Sequence, residues 1–388
     1  MKLSNFDIPA FVQDHWQKKP LMIPNPWEAW RNPLSADELA GLACEEEVES
    51  RLVTSGAEGR ETGWALEHGP IPEQRFSTLG ESDWTLLVQA VDQYVPEVAA
   101  LIEPFRFIPD WRIDDIMVSY AADGGGVGPH FDQYDVFLIQ GAGQRRWQIG
   151  QACDEETLLL PHDDLRLLAE FEPQEEWICG PGDILYLPPG IAHNGTAVGD
   201  DCLTYSIGFR APSTSELIGY WSDDMLADLV KDARFADPDL MLQENPGEIR
   251  AEALDRMHEM IRSRFDDRDA FRRWFGQYGS IPKYAEHVDA PNTEQSETDI
   301  AARLDAGSRL FRNPSSRFLF VRKGDNSLTL FANGHSHDCS GARARFAEQL
   351  CAVPAGQGTI EPGPDENILS LVTALVNQGS LVFWDDQD

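Results

Sequence analysis

Pro181-Gly182-Asp183-Ile184-Leu185-Tyr186-Leu187-Pro188-Pro189-Gly190-Ile191-Ala192-His193 reads as a turn, a short strand, a rigid stop and a histidine. Pro-Gly-Asp supplies turn chemistry, and the apolar and aromatic run after it suits a strand. Two prolines and a glycine then restrict the backbone and aim it just before His193. The matching element is Pro129-His130-Phe131-Asp132, whose aspartate lies 61 residues before His193. In extended chain, residues i and i+2 point to the same side, about 6–7 Å apart. His130 and Asp132 can therefore aim an imidazole and a carboxylate at one point, and His193 from a neighbouring strand completes two histidines and one carboxylate. That ligand set leaves three positions open on a non-haem iron. An α-keto acid fills two of them and dioxygen the third. A lone His-x-Asp is usually structural; joined to the proline-glycine element on a β-rich background it reads as a metal site.

Outward from these two elements, short strand-like runs follow one another: Ile116 to Ala121, Asp135 to Gln140, Arg146 to Ile149, Glu176 to Cys179, Asp183 to Leu187 and Leu203 to Phe209. Gly124-Gly125-Gly126, Gly141-Ala142-Gly143 and the proline-glycine groups separate them as turns. The pattern predicts an antiparallel barrel or jelly roll, mainly β with α. Helices are expected before it, from Leu39 to Cys44 behind Ser35, and from Trp84 to Val95 behind Ser82. After Ala211-Pro212 apolar residues take helical spacing, predicting helices over Ser213 to Lys231, Pro246 to Phe265 and Arg268 to Tyr278. Asp289 to Thr298 reads as a linker. A small α/β module follows, winged-helix-like in element order, with strands near Arg317 to Val321, Leu328 to Ala332 and Leu381 to Trp384. Its helices are expected near Thr298 to Ala306, Gly341 to Cys351 and Asn367 to Gln378. The expected division is 1–212, 213–288 and 289–388.

A keto acid must also be held at its far end. Alternation along Trp111 to Ala121 puts Asp115, Met117 and Ser119 on one face. Arg145 and Arg146 open the strand after the Gly-Ala-Gly group, where an arginine can take a distal carboxylate through two parallel bonds. Ser119 can donate its hydroxyl to the same group.

Charge narrows the partners. The chain has 66 acidic against 31 basic residues in 388, a net charge of −35. Such a surface repels phosphate backbones and anionic membranes, and it attracts basic proteins. From residue 291 onward thirteen acids face eight bases, so the basic footprint of a nucleic-acid binder is missing from the winged-helix-like module. No apolar stretch has the length of a bilayer crossing, and residues 1–10 hold no secretory pattern, so a soluble, cytoplasmic protein is expected. Six scattered cysteines without a CxxC pair are expected to be free thiols.

Trp111-Arg112-Ile113-Asp114-Asp115, the run from Gly124 through His130 and Asp132 to Phe137, and Gly208-Phe209-Arg210-Ala211-Pro212 resemble the bacterial JmjC ribosomal oxygenases. The similarity extends from His15-Trp16-Gln17-Lys18-Lys19-Pro20 to the C-terminal module. Motifs in the barrel are specific and those after Pro212 are weaker. The resemblance implies a JmjC (cupin) double-stranded β-helix, a helical dimerisation region and a C-terminal winged helix. It implies Fe(II) on His130, Asp132 and His193, and 2-oxoglutarate on Arg145 and Ser119 with O2 as second co-substrate. It further implies a substrate arginine held by Asp115, Met117 and Tyr134, in a basic ribosomal protein (uL16) hydroxylated at the β-carbon by a homodimer. Phe131 and Asn194 depart from the branch it most resembles, which has leucine and glutamate there; neither is a ligand. Two alternatives stay open: a JmjC hydroxylase or demethylase of another residue, and a non-catalytic cupin regulator. His335-Ser336-His337-Asp338-Cys339 follows the turn signal Asn333-Gly334 and is expected to be a solvated wing tip rather than a second metal site. Trp147, Trp177, Trp274 and Trp384 are expected to pack, and Glu45-Glu46-Glu47 to form a solvated helix face.

Overall fold

The computed structural model describes residues 1–56, 63–230, 232–288, 290–354, 359–363 and 365–384. The chain falls into two compact units that part between Ala211 and Pro212. The first is built on a nine-stranded antiparallel sheet. Its strands are β1 (Leu21–Ile23), β2 (Ser50–Ser55), β3 (Trp64–His68), β4 (Trp84–Val88), β5 (Ile113–Ala121), β6 (Val136–Ala152), β7 (Glu175–Cys179), β8 (Ile184–Leu187) and β9 (Ile191–Phe209). Helices α1 (Ile8–Asp14), α2 (Ala36–Ala43), α3 (Glu73–Phe76) and α4 (Pro96–Ala99) precede the motif-bearing strands. The order is β1-β8-β6-β9-β5-β4-β2-β3, with β7 also on β6.

Two long strands organise this unit. The first half of β6 pairs with β8 and with the end of β9, from Val136↔Gly208 to Gln140↔Thr204. The second half pairs with β7 and the start of β9, from Gln144↔Val198 to Ile149↔His193. Between the halves the register shifts twice, at Gln140/Ala142 and Ala142/Gln144. Val136 and Leu138 share one buried cluster with Trp147 and Ile149, so the sheet folds back on itself and the inward positions change from even to odd numbers. Arg145 faces in and Arg146 faces out as a result. Gly141-Ala142-Gly143, expected to be a turn between two strands, is therefore a bulge inside one strand. Gly143 takes φ 59°, and a Cβ there would lie 2.6 Å from the carbonyl oxygen of Asp201. Only glycine fits that close crossing.

The opposite face of the sheet carries the larger core. Phe11, Phe105, Phe137, Tyr186 and Phe209 are fully buried, with ring centroids 4.6 Å apart for Phe105–Phe137 and 4.8 Å for Phe11–Tyr186. Each such side chain contributes about 1.5–3 kcal/mol by leaving water. Helix α2 starts where expected, on Ser35 with a reciprocal bond to Glu38.

Residues 84–95 correct the sequence reading. Trp84–Val88 is a strand between β2 and β5, followed by a short 3-10 turn over Val91–Gln93. Thr85 to Val88 are buried on both faces, so the apolar run has no alternation to separate strand from helix. Glu45, Glu46 and Glu47 lie in an exposed turn beyond α2 rather than on its face. Strands β2 and β3 were not anticipated at all.

In the second unit, α5 (Thr214–Ala227), α6 (Ala251–Phe265) and α7 (Arg268–Ser280) lie in the expected places; α6 begins five residues after Pro246. Lys231, at the end of the first expected helix, lies outside the described residues, as does Asp289 at the start of the expected linker. A capping box at Ser213 and Glu216 starts α5. Next come α8 (Glu297–Asp305), β10 (Arg309–Arg312), β11 (Phe318–Gly324), β12 (Ser327–Ala332), β13 (His335–Ser340), α9 (Ala342–Ala352), α10 (Glu366–Asn377) and β14 (Leu381–Trp384). β11-β12-β13 form an antiparallel meander and β10 pairs with β14. Asn333 and Gly334 make the turn with φ 50° and 80°, but the residues after them are not a solvated tip. They form β13, with Cys339 buried in the core of this unit because alternation turns it inward. Trp147 and Trp274 are buried and Trp177 packs beside Trp147; the side chain of Trp384 lies outside the described residues. None of the six cysteines forms a disulfide.

Candidate active site

His193 stands two residues into β9, directly after the Pro188-Pro189-Gly190 stop. His130 lies outside the long strands, in an extended segment tied to β9 by a single bridge. Its N–H donates to the carbonyl of His193 at 3.0 Å, and the N–H of His193 returns a bond at 2.8 Å. A further bond, from the N–H of Gly190 to the carbonyl of Asp132 at 2.7 Å, fixes the other end of the segment. The i, i+2 geometry expected of a strand is thus achieved by an extended chain bridged to one.

The three side chains converge. One ligand atom from each of His130, Asp132 and His193 lies within 4.8 Å of the others, the only group of three or more such residues among those described. His193 Nε2 stands 3.8 Å from Asp132 Oδ2. Each histidine has Nδ1 2.9 Å from a carbonyl two residues earlier, Gly128 for His130 and Ile191 for His193. A carbonyl accepts only, so Nδ1 must carry the proton and Nε2 presents its lone pair to the shared point. Burial, then the neighbouring imidazole of His130, lowers the pKa of His193 to about 4, while Asp132 opposes the shift. The imidazole is neutral at ordinary pH, the form that binds a metal. The donor set therefore fits a divalent transition metal.

A second feature fits an anion. Arg145, 3% exposed, lies on the inner face of β6, with its guanidinium 5.6 Å from the ring of Trp147; that ring is 6.0 Å from His193. Its contacts are long: Nη2 to Ser119 Oγ at 3.5 Å and Nη1 to the carbonyl of Gly195 at 3.4 Å. Nε has no partner. A buried cation so weakly held matches a carboxylate brought by a co-substrate. Arg146 instead lies outside, 3.6 Å from Glu176.

The expected substrate residues gather in the same unit. Asp115 is buried, Met117 half-buried and Tyr134 42% exposed. The phenol end of Tyr134 is nevertheless enclosed: burial first, then the carboxylates of Asp132 and Asp115, push its pKa up. A Cβ built on Gly208 would lie 3.9 Å from Asp115 Oδ1 and 4.0 Å from Tyr134 Cε2. Carboxylate and ring therefore both border a position without a side chain.

Sequence reasoning missed the support under this site. Asp135, fully buried, accepts from Tyr186 Oη at 2.7 Å, Gln17 Nε2 at 2.9 Å and Arg112 Nη2 at 3.0 Å. Burial and then Asp135 hold the Tyr186 hydroxyl well above its usual pKa, so it stays a donor. The network pins the chain three residues after Asp132. Its one trace in sequence is an aspartate at the head of an apolar run.

A JmjC domain model matches residues 100–217, and a ROXA-like winged helix model matches residues 260–382. The chain is 38% identical to the ribosomal protein uL16 3-hydroxylase of Escherichia coli, over 97% of this chain and 96% of the relative. It is 35% identical to a probable ribosomal oxygenase of Haemophilus influenzae, over 84% and 80%. The solved structure of the Escherichia coli ribosomal oxygenase YcfD with cobalt and 2-oxoglutarate superposes with a TM-score of 0.84, at 36% identity and 99% coverage of both chains. YcfD has also been solved with cobalt and succinic acid, with a TM-score of 0.83. A rolled antiparallel sheet, a winged helix, a two-histidine, one-carboxylate cluster and this breadth of likeness lead to one statement: the chain belongs to the JmjC ribosomal oxygenases, enzymes that use Fe(II) and 2-oxoglutarate.

Proposed function

We propose that this oxygenase hydroxylates the β-carbon of an arginine in ribosomal protein uL16, with His130, Asp132 and His193 holding the iron. One observation carries the reading of the site: three ligand atoms within 4.8 Å of one another, in the same folded sheet as a buried, weakly held guanidinium. Arg145 and Ser119 would take the distal carboxylate of 2-oxoglutarate. Iron, when bound, supplies the oxidative decarboxylation that drives oxygen insertion. The protein orients the target carbon and excludes water. Asp115 would meet the guanidinium, with Met117 and Tyr134 along its aliphatic stem. The choice of uL16 follows the Escherichia coli relative, and the net charge of −35 suits a basic partner.

The test is mass spectrometry after incubation with Fe(II), 2-oxoglutarate, O2 and either uL16 or an arginine peptide from it. The expected product carries one added oxygen on arginine. Asp115→Ala is expected to lose this turnover while still binding 2-oxoglutarate. Oxidation of a histidine peptide instead, or loss of a methyl group from a methylated one, would favour the other JmjC activities. Binding of both iron and 2-oxoglutarate without substrate-stimulated succinate would favour a regulator.

We also propose that 1–212 is catalytic, that 213–288 is a dimerising helical region and that 289–388 is the winged helix. Helix α6 supports the middle assignment. It buries no residue, and Leu254, Met257 and Ile261 stand 52%, 40% and 61% exposed at helical spacing. Sedimentation is expected to show a homodimer for the native protein and a monomer for Ile261→Glu; a monomeric native protein would end this reading. No helix among the described residues is long and apolar enough to cross a membrane. The cytoplasm, where ribosomal proteins are made, is the proposed location.

A further inference from the structure

Strand β5 is irregular where its functional carboxylate sits, for its pairing with β9 shifts register between Ile113 and Ile116. Such an irregularity re-aims side chains and needs outside support. The support is the chain that follows β4, which reaches the irregular stretch at three points. Gln89 Nε2 donates to Asp115 Oδ2 at 2.7 Å, and the N–H of Ala90 donates to the same oxygen at 3.1 Å. Asp92 Oδ1 accepts from the N–H of Ile116 at 2.8 Å.

Gln89 is itself oriented. Its Oε1 accepts from Arg51 Nη2 of β2 at 3.1 Å, so the amide can turn only its NH2 group to Asp115. Ala90 is in the left-handed region, φ 51° and ψ 39°, a conformation that a residue with a side chain holds only where surroundings enforce it. That backbone aims its N–H at the carboxylate. Asp115 Oδ2 is thus fixed by two donors from one short segment, while Oδ1 lies beside Gly208, which Tyr134 also borders.

We propose that Gln89, locked by Arg51, is a positioning residue that sets the plane of the Asp115 carboxylate for a planar guanidinium. The proposal rests on the reading of Asp115 given above and deepens it to the choice between arginine and lysine. With Oδ2 taken by Gln89 and Ala90, a substrate would be met by Oδ1. The N–H groups of a guanidinium point in fixed directions within one plane and so depend on how that oxygen is aimed, whereas an ammonium can turn any of three N–H groups to it. Losing the lock therefore weakens recognition of arginine more than recognition of lysine.

The experiment compares native enzyme with Gln89→Leu, Arg51→Met and Arg51→Lys on arginine and lysine peptides of the same sequence. It reads KM, kcat and succinate formed per hydroxylated product. For Gln89→Leu, KM for the arginine peptide is expected to rise roughly tenfold or more, the worth of a hydrogen bond to a charged group. Arginine-over-lysine preference falls and succinate per product rises, while affinity for 2-oxoglutarate keeps its native value. Arg51→Met moves the same way by less, and carries the test if Gln89→Leu does not fold. Arg51→Lys restores the preference. Native turnover of arginine that both Gln89→Leu and Arg51→Met leave unchanged in KM and preference overturns the lock alone. Failure of the native enzyme to oxidise any arginine peptide overturns the reading of Asp115, and the lock with it.

Discussion

Asp132→Ala is expected to abolish hydroxylation and to reduce affinity for divalent metal by more than about a hundredfold. Partners that merely support a ligand already give losses of roughly 10–100-fold when removed, and Asp132 contributes a ligand atom outright. The fold should survive, because the side chain is 22% exposed and the segment is held by backbone bonds from His130 and Gly190. The measurement is thermal unfolding with and without Mn(II). At one hundred times the dissociation constant, native protein gains about 2.7 kcal/mol from the ion, and the variant is expected to gain next to nothing at that concentration. A variant that still gains the native increment, or still yields succinate with peptide, would remove Asp132 from the metal centre.

The second large effect concerns stability. Asp135→Leu leaves Arg112, Tyr186 and Gln17 facing an apolar group inside the protein. Breaking one side of a buried ion pair costs about 3–5 kcal/mol, because the remaining charge is stranded. For a unit of this size that lowers Tm by on the order of 10 °C. The double variant Arg112→Met, Asp135→Leu strands no charge, and is expected to recover most of the loss. Equal stability of the single and double variants would show that the pair is not the cause. Activity is expected to fall in the single variant too, since Asp135 anchors the chain three residues beyond Asp132.

What could be read in advance follows the range of each signal. His130, Asp132 and His193 were legible because turn chemistry and a two-residue period are local, and because the element around His193 admits few backbone paths. The helices directly after Pro212 were legible through the spacing of their apolar residues; the caps at Ser213 and Ser296 emerged only in the structure, the second inside the stretch expected to be a linker. Trp84–Val88 was misread because a strand buried on both faces shows no period. Gln89 and Asp135 were invisible for a different reason. Each acts through partners far along the chain, Arg51 and Asp115 for one, Gln17 and Tyr186 for the other, and no spacing rule connects them. The strand pattern alone did not tell Arg145 from Arg146, since only the bulge before them decides which one turns inward; the family resemblance is what singled out Arg145.

That bulge makes length itself a coded quantity. Between Gln140 and Arg145 the strand is counted in twos, as a coding sequence is counted in threes. Adding two residues leaves every later side chain on its own side, whereas removing one would exchange the two arginines, turning Arg146 toward the interior and parting it from Glu176 on β7. Apart from Gly143 and Arg145, this stretch is expected to tolerate a change of letter better than a change of one in its length.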